Sequence, residues 1–170
     1  GEQCEPTPGM AMLAEDTVNI SGSGQLPKSA IDTLVAGSSV ELRFRIGENT
    51  FSWLGNALFK DFELLIQMLQ TMLYDQGFRE DQFANVKSKM ELMYQKLSRE
   101  IDGAMVLDVQ PFLANGNPHF GMPPWKDVAK LEFSAMQKWV RSFSVPKDLE
   151  ISVVGDFDED AVILVLEKYF

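Results

Sequence analysis

The sequence predicts an α+β domain: helices with an antiparallel strand hairpin and a further, more buried strand. Three observations predict it. Val40–Ile46 and Thr50–Gly55 read as a strand pair joined by a short turn. Residues 61–101 are apolar at helical spacing, with no strand-like alternation. Leu149–Gly155 reads as a further strand leading straight into a helix. The chain has 170 residues, enough for one sizeable core. Its 45% hydrophobic and 24% charged residues are those of a globular protein, not a disordered one.

Residues 1–9 hold Pro6, Pro8, Gly1 and Gly9 and read as a loose lead-in. Met10–Asp16 is a short helix, broken by Ser21-Gly22-Ser23-Gly24. Pro27–Val35 is a second helix, with Pro27 in its first turn, Gly37 past its end, and Ile31, Leu34 and Val35 on one face. Val40-Glu-Leu-Arg-Phe-Arg-Ile46 alternates apolar and charged, the period of a strand with one wet face. Gly47-Glu48-Asn49 turns the chain into Thr50–Gly55.

The helical block follows. In 61–74, Phe62, Leu65, Ile66, Leu69, Met72 and Leu73 form one face. Gln76-Gly77 ends it. A longer helix spans 80–101, with Phe83, Val86, Met90, Met93, Tyr94 and Leu97 inward. The two are expected to pack as a helical hairpin. Residues 104–113 form a third helix interrupted by Pro111, and 115–124 a turn-rich loop. Ser134 is expected to cap a helix reaching Phe143. Ile151, Val153 and Val154 make Leu149–Gly155 a buried strand. Asp158 caps a last helix, whose Tyr169 and Phe170 are expected to pack.

Charge and composition exclude several functions. Fifteen Lys and Arg against 25 Asp and Glu give a net charge of −10. Such a surface repels nucleic-acid backbones and anionic membranes, so neither is an expected partner. One cysteine, Cys4, excludes an intramolecular disulfide, and one histidine, His119, excludes a site needing two. No apolar run approaches the roughly 20 residues of a spanning helix, and no signal peptide opens the chain. The expected setting is soluble, cytoplasmic or periplasmic in a bacterium. No Gly-x-Ser-x-Gly elbow, P-loop, dinucleotide fingerprint or Cys-x-x-Cys occurs.

Each remaining candidate has a plain reading. His119 could be a base or a ligand, but no acidic residue lies within three positions, so it reads as structural. Gly155-Asp156-Phe157-Asp158 could be an anion-binding turn. Its aspartates would repel an anion, and a strand end followed by an N-cap is simpler. Met68, Met72, Met90 and Met93 could form a peptide-binding surface, yet helical spacing favours core. Arg43 and Arg45 could hold an acidic partner or simply be the wet face of a strand. Trp53, Trp125 and Trp139 read as packing residues, and nothing marks Cys4 as a nucleophile.

A set of longer stretches has a family likeness. These are residues 60–78, Glu80-Asp-Gln-Phe-Ala-Asn-Val-Lys87, Asn117-Pro-His-Phe-Gly121, Val145-Pro146, and Leu149-Glu-Ile-Ser-Val-Val-Gly-Asp-Phe-Asp158 with its following helix. Together the chain, from about Met10, resembles a repeat unit of the pitrilysin/insulinase zinc metallopeptidases, the family of mitochondrial processing peptidase. The resemblance implies a two-layer, mixed and largely antiparallel sheet with helices packed on one side. It implies a single repeat over residues 1–170. The glycine start and the stop on a helical turn are read as a piece of a longer multi-repeat chain.

Active repeats of that family carry H-x-x-E-H on the first helix, two histidines for zinc and a glutamate for the water, with a later glutamate as third ligand. Counted back from Gly22, those positions are Leu13, Asp16 and Thr17, with the third ligand near Met93. Leu13, Thr17 and Met93 cannot hold zinc. The resemblance therefore implies a non-catalytic repeat with no catalytic or metal residue and no cofactor of its own. Zinc would sit in another repeat of the parent protein. The implied partners are other repeats or a homologous subunit, and a peptide substrate enclosed between them. A subunit-type homologue acting only in assembly is the other reading.

Overall fold

A computed structural model describes residues 5–47, 50–117, 121–143 and 149–170. Cys4, His119 and Val145-Pro146 lie outside them. The α+β class holds. Nine α-helices and one two-stranded antiparallel sheet occur among the described residues: α1 (Met10–Ser21), α2 (Lys28–Val35), β1 (Glu41–Ile46), β2 (Phe51–Asn56), α3 (Phe62–Tyr74), α4 (Glu80–Leu97), α5 (Ile101–Ala104), α6 (Gln110–Leu113), α7 (Trp125–Val128), α8 (Phe133–Arg141) and α9 (Glu159–Tyr169). The chain divides into two compact units. One holds residues 1–17 and 79–140, the other 18–78 and 141–170.

The first unit is helical. Its core takes Met10, Leu13 and Ala14 from α1, Phe83, Val86, Met90 and Tyr94 from α4, and Val128, Leu131, Met136 and Val140 around α7 and α8. Phe83 meets Phe133 edge-on at 5.8 Å, a favoured aromatic geometry. Lys87 Nζ donates to the Leu131 carbonyl at 2.9 Å while its stem stays half-buried. α5 runs through a π turn, Met105–Val109, into α6, so 101–113 is one continuous helical stretch. Pro111 follows the π turn inside that stretch, where its missing N–H removes one backbone hydrogen bond.

The second unit holds the sheet. β1 and β2 pair from Glu41↔Asn56 to Ile46↔Phe51, and the expected alternation is seen: Phe44 is buried while Glu41, Arg43 and Arg45 are exposed. Phe44 packs on Trp53 at 5.0 Å, and Phe51 stacks on Phe143 at 4.0 Å. The Asn19 amide grips the backbone of β1. Its Nδ2 donates to the Phe44 carbonyl at 2.9 Å, and its Oδ1 accepts from the Phe44 N–H at 2.8 Å. A side chain thereby satisfies strand-edge groups that a third strand would otherwise take. α3 packs on both strands and on α9.

Several expectations change in detail. α1 continues five residues beyond Asp16 and stops at Gly22, whose φ is +75°. Pro27 sits just before α2 rather than within it. Ser134 lies inside α8 instead of capping it. Leu34 and Met93 are exposed, not inward. α3 and α4 fall in different units. Residues 149–154 form no strand. Ile151 and Val153 are half-buried and Ser152 and Val154 exposed, which is strand-like alternation. A ladder needs a neighbour, however, and the strands among the described residues pair only with each other.

Candidate functional site

The first helix carries the positions that the sequence singles out. Its start is held by Glu5, whose carboxylate accepts from the Gly9 N–H at 3.2 Å and the Ala11 N–H at 2.8 Å. Two of the open N–H groups at that end are thus satisfied, and the negative charge suits the helix dipole. Met10, Leu13, Ala14, Thr17, Val18 and Ser21 recur at i, i+3 and i+4 and are all buried.

Leu13 and Thr17 are one turn apart on that face, and both are completely buried. Asp16 is exposed. Thr17 Oγ1 has no hydrogen-bond partner among the described residues. A buried orphan hydroxyl costs stability. It is still no zinc site. Leucine offers no donor atom, and a neutral hydroxyl does not replace an imidazole. Zinc does not fit these residues, and no step of chemistry passes through it here.

The third position fares no better. Met93 points outward on α4, and its neighbours Met90 and Tyr94 point in. The Tyr94 hydroxyl donates to the Pro123 carbonyl at 2.6 Å, and its ring packs on Trp125 at 5.4 Å. Burial pushes the Tyr94 pKa up to about 12, so the group is a neutral donor at ordinary pH, not a base. Among the described residues, no three or more His, Cys, Asp or Glu side chains gather to hold a metal.

The other candidates take their plain readings where they can be followed. Asp158 caps α9, its Oδ1 accepting from the Ala161 N–H at 2.9 Å. Asp156, Asp158, Glu159 and Asp160 are all exposed there and would repel an anion. Met72 and Met90 are core and Met68 is half-buried. Trp53 and Trp125 pack on aromatic rings. A hollow of about 700 Å³ in the first unit is lined by Met10, Leu107, Pro111, Met122, Pro123 and Leu131 among others, with the Asp127–Lys130 ion pair at its rim. Its described lining is mainly apolar, with Glu132 beside the ion pair. Sequence reasoning missed α7 and the orphan Thr17 hydroxyl. The first has only four residues, too few for a periodic signal.

No protein-family profile matches the chain, and no curated protein matches it. Solved structures do. The fold is similar to a protease from Helicobacter pylori, with a TM-score of 0.75 and 16% identity, covering 100% of this chain and 42% of that one. It is similar to the periplasmic protease PqqL from Escherichia coli, with a TM-score of 0.72 and 17% identity over 99% of this chain and 19% of that one. The ferredoxin protease FusC, solved in complex with Arabidopsis ferredoxin, gives a TM-score of 0.69 and 17% identity, covering 99% and 19% respectively. The chain thus shares its fold with proteases and spans less than half the length of each.

Proposed function

We propose that this chain is a non-catalytic repeat of a zinc-dependent metallopeptidase of the pitrilysin/insulinase type. In this reading it helps wall a chamber that encloses a peptide. Another repeat of the same polypeptide carries the zinc and hydrolyses the peptide bond. One observation carries the reading. Essentially the whole chain superposes on proteases at TM-scores of 0.69 to 0.75. The sequence resemblance, which aligns Leu13 and Thr17 with that family's metal-ligand positions, supplies the rest of the reading. The family assignment within the proteases draws on the residues of 60–87 and 149–158. A protein-binding role fits FusC, which was solved with a protein bound.

A second reading has its own support. The Helicobacter pylori protease is matched over 42% of its length, against 19% for the other two. Proteases of this fold therefore include shorter chains, in which two subunits could share the work. The chain would then belong to a non-catalytic subunit acting by protein–protein assembly. No helix among the described residues is long and apolar enough to cross a membrane. A soluble compartment, cytoplasm or periplasm, is part of the proposal.

The test is zinc and cleavage measured together on the purified chain. Expected are zinc far below one equivalent and no hydrolysis of an unstructured peptide library. One equivalent of zinc, or hydrolysis that Asp16→Ala abolishes, would overturn the non-catalytic reading.

A further inference from the structure

The helical stretch of α5, the π turn and α6 carries apolar side chains on its solvent side. Ile101 is 96% exposed, Met105 56%, Phe112 80% and Leu113 75%, with Val109 also exposed. The inward side is taken by Gly103, Val106, Leu107 and Pro111. The exposed residues follow at i, i+4, i+8, i+11 and i+12, so they form one stripe and not a scatter. Single exposed leucines are ordinary, but five large apolar side chains in line are the kind of patch that marks an interaction surface.

Charge says what fits on it. From Glu100 to Trp125 the sequence has no Lys or Arg. Asp102 and Asp108 stand exposed beside the stripe, while Glu100 pairs with Lys96 at 3.7 Å. A lipid surface is disfavoured, because interfacial helices set basic residues beside their apolar face. A second copy of a chain with a net charge of −10 would bring acid against acid. We infer that the Ile101–Leu113 stripe docks a folded protein neighbour whose apolar ridge is bordered by Lys and Arg. This rests on the proposed function in naming the neighbour, another repeat or subunit of the same peptidase. The partner chemistry itself rests on the stripe and its acidic borders.

The test places a photo-crosslinker on the stripe, Phe112→benzoylphenylalanine, in the native protein in its source cells. A control crosslinker replaces Lys89, which is exposed on α4. Cross-linked peptides are then sequenced. The expected product joins position 112, and not position 89, to an apolar segment flanked by Lys or Arg. Its yield should fall about tenfold with Asp108→Lys and again with raised salt. Circular dichroism of the variant checks that its helix content is unchanged. If that segment belongs to a peptidase repeat, both proposals stand. If it belongs to an unrelated protein, the docking face stands and the proposed function falls. Cross-links only to a second copy or to lipid, or none at all, overturn the docking face. The proposed function would survive that result if the native polypeptide is a multi-repeat peptidase.

Discussion

Gly22 shows how much one residue decides. At φ +75° a side chain is strained, and a Cβ there would come 2.5 Å from the Leu26 carbonyl oxygen and the Lys28 nitrogen. Gly22→Ala should cost about 2–3 kcal/mol in urea unfolding. A loss under half of that would show that the turn relaxes freely. The break at residues 21–24 is legible because glycine and serine punctuate a chain, though not the five further residues that α1 runs before it. Tyr94 is a second case. Tyr94→Phe removes the hydroxyl that donates to the Pro123 carbonyl and should cost about 1–2 kcal/mol. Its raised pKa adds a pH signature. The neutral phenol is favoured in the fold, so the native state holds its proton after the unfolded chain has lost it. Stability is fully present below pH 10 and is lost as pH rises toward 12. The phenylalanine variant should lack that alkaline loss, as thermal melts between pH 9 and 11.5 would show.

Among the elements, α9 is fastened at both ends. Asp158 caps its start, and Asp158→Ala should cost about 1 kcal/mol. Near its end, Glu63 Oε1 of α3 accepts from Lys168 Nζ at 2.7 Å and from the Tyr169 hydroxyl at 2.8 Å. Those bonds hold the Glu63 carboxyl below its usual pKa. The contribution is therefore present above about pH 4.5 and lost as acid protonates the carboxylate. Protection of the α9 amides, taken relative to the intrinsic exchange rate at each pH, should fall as pH drops below about 4.5, and Glu63→Gln should remove that dependence. Unchanged protection in the wild-type chain would mean the latch contributes nothing. Periodicity makes α3, α4 and the hairpin legible, since each buries a regular face. It fails at 149–154, because Ile151, Val153 and Val154 state a preference for extended backbone and cannot supply the neighbour that makes a strand. Helical spacing likewise puts Met93 inward, when the buried arc of α4 is narrow enough to take Met90 and Tyr94 and leave it out.

For the whole molecule, the acidic surface and the fold carry the prediction. The intact mass of the native protein should be well over twice that of these 170 residues, with H-x-x-E-H in another repeat. A native polypeptide without H-x-x-E-H would instead favour the subunit-type reading. A single histidine is enough to exclude a multi-histidine metal site, and the positions of Leu13, Asp16 and Thr17 are legible by counting back from Gly22. Exposure is not legible in the same way. The spacing in 101–113 marks a helix, but only the packing of its neighbours decides that Ile101, Met105, Val109, Phe112 and Leu113 face water. The π turn beneath them has a consequence for descent. Such a turn is one residue more than a regular helix needs. Deleting one residue from Met105–Val109 would close it into a regular α turn and leave α6 facing almost as it does now, because the extra residue is taken up within the turn. A single codon can therefore be lost at this turn by slippage while the two halves keep their phase, so the surface tolerates a change in length that would scramble a regular helix.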